Sequence, residues 1–233
     1  MQNEINMNSE YLVLDIENDN SNSYGCDAGC YLIDPIVALG FKNKNELYST
    51  YIYPQKLDRL EIDEDLIVGH NLAHDLLFLW HLDDLQNFFK GGGQVWDTQL
   101  AEYIISGHEI KYASLRDIAV NTYGCPKREK HMEKYWKDGK QTSEIPKDIV
   151  KVDVENDVLD TETVYLQQRE RAEKLGMLSL IKLQMDARLA TIEIKYNGMK
   201  IQKETLLENK KKLEKELENF YLELKKISER YWK

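Results

Sequence analysis

The stretch Tyr11-Leu12-Val13-Leu14-Asp15-Ile16-Glu17 decides how the chain is read. Tyr11 to Leu14 form a short apolar run with strand character, and two carboxylates close it. In a strand, residues i and i+2 face the same way, so Asp15 and Glu17 are expected to project together from one edge of a sheet. Adjacent carboxylates repel each other unless a cation lies between them, and a hard divalent ion such as Mg²⁺ takes oxygen ligands of this kind. The chain has 41 acidic residues, so an isolated Asp-x-Glu describes two solvated acids at a strand end equally well. The decision rests on whether later stretches supply further ligands.

Composition bounds the rest. With 233 residues, 42% of them apolar, the chain holds one large domain, or one domain and an appendage, around a real core. A net charge of −10 argues against a non-specific coat on duplex nucleic acid, but it is compatible with a nucleic-acid enzyme whose own site is acidic and metal-filled. Three cysteines, a polar N-terminus without an Arg-rich transit pattern and no apolar run of spanning length lead to the expectation of a reduced, cytoplasmic protein with no membrane segment.

Further along, residues 18–34 read as a loop rich in Asn, Ser, Gly and Asp. Cys26 and Cys30 lie within it and are expected as reduced thiols rather than a zinc site, since Cys125 is the only other cysteine. Ile36–Phe41 and Leu47–Tyr53 predict a hairpin, and three adjacent strands at the start of the chain favour an antiparallel or mixed sheet. Leu66–Gly69 is a fourth strand. It leads into a helix at His70–Trp80, with Asn71 as the expected cap and Asp75 one turn in. His70 and His74 lack the Glu of His-Glu-x-x-His and are expected to be structural. Gly91–Gly93 is read as a flexible break. Val95–Thr98 ends a fifth strand, a helix follows at Gln99–Ser106, and another is expected over Ser114–Tyr123. In Lys127–Lys140 basic residues outnumber acids and Tyr135 and Trp136 stand among them. That pattern suits single-stranded nucleic acid, and an exposed, loosely helical segment equally. Pro146 opens a long helix with Asp153, Asp157 and Thr161 on one face. Leu178–Tyr196 is a further helical run. The chain then carries a heptad-like stripe of Leu213, Leu217, Phe220, Leu224, Ile227 and Tyr231.

Taken together, these stretches resemble the 3′→5′ proofreading exonuclease domain of family A DNA polymerases, phage versions especially, within the DEDD exonuclease superfamily. The first motif is Asp15-Ile16-Glu17. The second is Gly69-His70-Asn71-Leu72-Ala73-His74-Asp75, with His74 at the aromatic place of Asn-x-x-(aromatic)-Asp. Trp96-Asp97-Thr98-Gln99 resembles the family's Asp-Thr helix start, and the third motif is Asp157-Val158-Leu159-Asp160-Thr161, preceded by Ile145-Pro146. The resemblance spans roughly residues 10–200. It departs at one place: the usual tyrosine four residues before the third-motif aspartate is Asp153 here, and the sister subclass's histidine, five residues before, is Val152. Whether Asp153 holds the attacking water or only adds charge stays open.

The resemblance implies an RNase H-like α/β fold: a mixed five-stranded sheet with helices on both faces at 1–176, and a C-terminal helical extension at 177–233 resembling the first thumb helices of a polymerase region. It implies a metal-dependent 3′→5′ exodeoxyribonuclease that removes nucleoside 5′-monophosphates from single-stranded DNA 3′ ends, as the proofreading part of a phage-type polymerase in the host cytoplasm. Two Mg²⁺ or Mn²⁺ ions would be held by Asp15, Glu17, Asp75 and Asp157, with Asp153 beside them and Asn71, His74 and Asp97 supporting the substrate. Polymerase motifs are absent from the stretch after residue 198, so polymerase activity is not expected of this chain. Two other readings stand beside it. One is a non-catalytic DNA-binding or assembly module that docks through 177–233 to a separately encoded polymerase chain. The other is an RNA-trimming exonuclease sharing the same metal chemistry.

Overall fold

Strand β1 (Tyr11–Asn18) buries Leu12, Val13, Leu14 and Ile16, and the sheet is built outward from it. The computed structural model describes residues 10–19, 30–110 and 113–231. Cys26 and the side chain of Cys30 lie outside the described residues, as do residues 1–9. The remaining strands are β2 (Ile36–Lys42), β3 (Leu47–Tyr51), β4 (Leu66–Gly69) and β5 (Gln94–Asp97). The sheet order is β3-β2-β1-β4-β5. β1 runs antiparallel to β2 and parallel to β4, β2 pairs antiparallel with β3, and β4 runs parallel to β5. The predicted hairpin and the mixed five-stranded sheet are both present.

The helices are α1 (Leu72–Leu79), α2 (Asp83–Lys90), α3 (Thr98–Ile105), α4 (Leu115–Asp117), α5 (Glu133–Lys137), α6 (Lys147–Lys174), α7 (Leu178–Asn197) and α8 (Lys203–Tyr231). α2 had no counterpart in the sequence reading, and Gly91–Gly93 forms the turn that ends it. The helix expected over Ser114–Tyr123 is a single α turn continued by a π-helical turn, Ile118–Thr122. Asn71 stands where a cap was expected, but it adopts φ 52° in the left-handed region and its side chain caps nothing. The backbone turns sharply there from β4 into α1, and Asn is among the few residues that tolerate that conformation.

The long helix α6 lies against the face of the sheet to which Tyr11 points. Tyr11 donates to Glu162 at 2.9 Å and packs edge-on against Tyr165. By the two-residue period of a strand, Val13, Asp15 and Glu17 share this face. α6 approaches β2 at Gly40, where an added Cβ would collide with Val154 and lie 2.8 Å from Val158 Cγ2. Trp96 of β5 donates to Gln168 of α6 at 3.1 Å. α7 contributes Ile181, Met185 and Ile192 to the same core. The chain divides into two compact units, 1–196 and 197–233, the second consisting largely of α8. No helix among the described residues is long and apolar enough to cross a membrane.

Candidate metal centre

Three carboxylates converge where β1 ends. Asp15 is in register with Gly40 on β2, and Glu17 with Ala38. The missing side chain at Gly40 lets Val154 and Val158 of α6 nest against the sheet. Asp157, the residue before Val158, is thereby brought beside Asp15. One ligand atom from each of Asp15, Glu17 and Asp157 lies within 4.8 Å of the others. Asp75 enters from α1, buried, with Oδ1 accepting a hydrogen bond from the Ile16 amide at 3.1 Å. The residues that sequence spacing singled out at 15, 17 and 157 are therefore neighbours in space, with Asp75 tied to the same strand.

The electrostatics follow from this crowding. Burial, and then the charges of Asp157, Asp75 and Glu17, push the Asp15 carboxyl well above the usual carboxylate range. Burial first, and then Asp157, raise Glu17 to about 8. Burial lifts Asp75 to about 8 against the opposing amide hydrogen bonds, and it raises Asp157 against the pull of Lys130. Asp15 Oδ2 is buried and has no hydrogen-bond partner. An orphaned buried carboxylate oxygen is costly. In an all-oxygen cluster, a hard divalent cation is the partner that would satisfy it. Asp15, Glu17, Asp75 and Asp157 thus fit a Mg²⁺- or Mn²⁺-type ion by donor chemistry.

Lys130 is the site residue that sequence reasoning missed. Its ammonium pairs with Asp157 Oδ2. Burial alone would lower its pKa, but Asp157, Asp15 and Glu17 outweigh burial and hold it above its usual value. The basic run at Lys127–Lys140 was a visible signal, but nothing in its spacing ties one lysine to a carboxylate 27 residues away. Asp153 is 1% exposed, and both of its oxygens are engaged: Oδ1 with His131 Nδ1 and Oδ2 with the Met132 amide, each at 2.8 Å.

The residues expected on the substrate side occupy two places. Asp97 caps α3, accepting from the Gln99 and Leu100 amides, and it also accepts from the Asn71 amide at 3.1 Å. Arg188 of α7 reaches both Asp97 and Asn71 Oδ1. His74 lies elsewhere. Its Nε2 faces Asn18 Oδ1 at 2.9 Å, and it lines an open cleft of about 520 Å³ with Asn18, Trp136, Lys140, Gln141 and Thr142. His70 meets Thr98 Oγ1 at 2.9 Å.

Neither a protein-family model nor a curated protein sequence matches the chain. Solved structures do. Brucella melitensis NrnC with bound Mg²⁺ superposes with a TM-score of 0.60 at 14% identity, over 85% of this chain and 90% of that one. The same protein bound to pGG gives 0.58 at 15%, over 85% and 90%. A nuclease in its apo form gives 0.57 at 12%, over 82% and 88%. These likenesses establish the fold expected from the sequence, an RNase H-like α/β layer built on a mixed five-stranded sheet.

Proposed function

We propose that this protein is a metal-dependent 3′→5′ exonuclease acting on single-stranded nucleic acid ends. The observation that carries the reading is the convergence of Asp15, Glu17 and Asp157 around a buried, unpartnered Asp15 oxygen. Asp15, Glu17 and Asp157 would hold one ion, and Asp15 with Asp75 a second. Bound there, such ions lower the pKa of an attacking water and neutralise charge on a leaving oxygen. Water adds to the terminal phosphorus, the bond to the 3′-oxygen of the preceding nucleotide breaks, and a nucleoside 5′-monophosphate leaves while that 3′-oxygen takes a proton. The 39%-exposed Trp136, with His74 and Lys140, lines a cleft beside Asn18, which follows Glu17 by one residue on β1. An aromatic platform with a nearby cation suits the terminal base and its phosphate. Asn71 and Asp97 support the turn into α1 rather than touching the reacting atoms.

DNA is the substrate to which the motif order points, in the manner of a phage-type proofreading domain. The structural neighbour bound to pGG favours short single-stranded oligonucleotides more broadly. A second reading, a binding or assembly module without catalysis, is favoured by the engagement of both Asp153 oxygens at the place where the water-orienting tyrosine is expected. In that reading the exposed Leu213, Leu217, Phe220 and Leu224 of α8 would meet a polymerase chain, and 177–233 would act as the docking extension.

The test is digestion of 5′-labelled single-stranded DNA and RNA with Mg²⁺, with Mn²⁺ and with EDTA. The expected result is a ladder shortening from the 3′ end that EDTA abolishes and that Asp15→Asn and Asp157→Asn each abolish while remaining folded. The relative rates on the two substrates set the sugar preference. No cleavage of either substrate by folded wild-type protein would leave the assembly reading in its place.

A further inference from the structure

Residues 128–132, which have no regular structure between the π-helical turn and α5, run along one face of α6 as a strap. Arg128 Nε pairs with Asp160 Oδ1 at 2.7 Å, the Lys130 ammonium with Asp157, and His131 and the Met132 amide with Asp153. The order is antiparallel, 128 to 160, 130 to 157, and 131–132 to 153. Asp153 to Asp160 spans about 10 Å of helix at ~1.5 Å per residue, a distance within reach of the five residues of the strap. Met132 is fully buried with Val37, Ala38, Val150 and Val154 and anchors one end. Lys130 is therefore delivered to the carboxylates from between two fixed points. Asp153 is part of the delivery: the acid that replaces a tyrosine holds the residues next to Lys130.

Lys130 brings one positive charge to a cluster of three converging carboxylates with Asp75 behind them, and Asp15 Oδ2 remains without a partner. An ammonium offers three directional donors. A divalent ion offers twice the charge and accepts oxygens from several directions.

We infer that Lys130 is a built-in competitor for the metal: its ammonium compensates the carboxylates in the metal-free protein, and ion entry displaces it from Asp157 while the Arg128–Asp160 and Asp153 contacts keep the strap in place. The inference rests on the metal-site reading above. It makes Lys130 a determinant of metal affinity, and it places a freed ammonium at the site once the ion is bound.

The experiment titrates the full chain with Mn²⁺, following free ion by its electron paramagnetic resonance signal, for wild type, Lys130→Met, Lys130→Arg and Asp15→Asn. Lys130→Met is expected to bind Mn²⁺ at least about tenfold more tightly than wild type, because no charge-assisted pair need be broken. Lys130→Arg should stay near wild type. A second measurement needs no substitution: acetylation of Lys130 in the wild-type protein, read by mass spectrometry against the exposed Lys137, should rise severalfold when Mg²⁺ replaces EDTA. Equal or weaker Mn²⁺ binding by Lys130→Met, with Asp15→Asn abolishing binding, would overturn the role of Lys130 and leave the metal site standing. Acetylation unchanged by Mg²⁺ under saturating conditions would overturn it likewise. Absence of Mn²⁺ binding in all four proteins would overturn both readings.

Discussion

Asp153 is the residue at which a position-by-position comparison and the three-dimensional contacts diverge most. Its place four residues before Asp157 makes it a candidate for orienting water, yet its two oxygens are turned toward His131 and Met132. If it anchors the strap, Asp153→Asn should keep most of the cleavage, since an amide oxygen still accepts from the Met132 amide. Asp153→Ala should cost about 2 kcal/mol in urea unfolding through the lost hydrogen bonds to a buried charged group. A loss of cleavage in Asp153→Asn at unchanged stability would return the residue to a direct catalytic role.

His70 permits a second prediction with a defined sign. Burial pushes its imidazole pKa down to about 4, below the ordinary value of about 6.5. Between those values the unfolded chain binds a proton that the folded one refuses, so stability falls as pH falls. The slope approaches about 1.4 kcal/mol per pH unit once the unfolded imidazole is mostly protonated, which integrates to about 1.6 kcal/mol from pH 6.5 to 5. The raised carboxyls at 15, 17 and 75 act in the opposite direction, so the measurement is a difference. The urea-unfolding free energy of wild type minus that of His70→Gln should decline by that amount over this interval, and a flat difference would mean that His70 does not carry the effect.

At the scale of elements, α6 and β2 meet through a glycine, and that contact brings Asp157 to the carboxylates of β1. Gly40→Ala puts a methyl into Val154 and Val158. Overpacking of this kind costs about 1–3 kcal/mol. The strain should also move Asp157 relative to Asp15, the register partner of Gly40. Both a lower urea midpoint and weaker Mn²⁺ binding are expected. Normal Mn²⁺ affinity in a destabilised Gly40→Ala protein would show that α6 reaches its place independently of this contact. The sequence had marked the strand, the helix and their acids by periodicity. It had not marked the glycine, because the need for one arises only where two backbones approach.

At the scale of the whole molecule, the first compact unit continues to residue 196, beyond the expected boundary at 176. α7 buries Ile181, Met185 and Ile192 against it, and Arg188 reaches Asp97. A chain of residues 1–196 should fold with the thermal midpoint and Mn²⁺ binding of the full chain. A chain of residues 1–176 loses three buried side chains worth about 1.5–3 kcal/mol each, a large share of the ~5–15 kcal/mol that holds a typical domain, and should lose cooperative unfolding by circular dichroism. Cooperative unfolding of 1–176 at the full-chain midpoint would place α7 outside the folding unit.

The sequence by itself determined the strands, the long helix and the mixed sheet, and it singled out the acids at 15, 17, 75 and 157 as candidates, because alternation, helical spacing and motif order are local properties that survive in one dimension. The tertiary structure alone decided that Lys130 pairs with Asp157, that Asp153 faces the strap, that Asn71 takes a left-handed turn without capping, and that α7 belongs to the first unit. Each of these depends on residues far apart in the chain, or on the space left between packed elements. No pattern of apolar and polar residues along the chain encodes which lysine of a basic run is carried to a buried carboxylate.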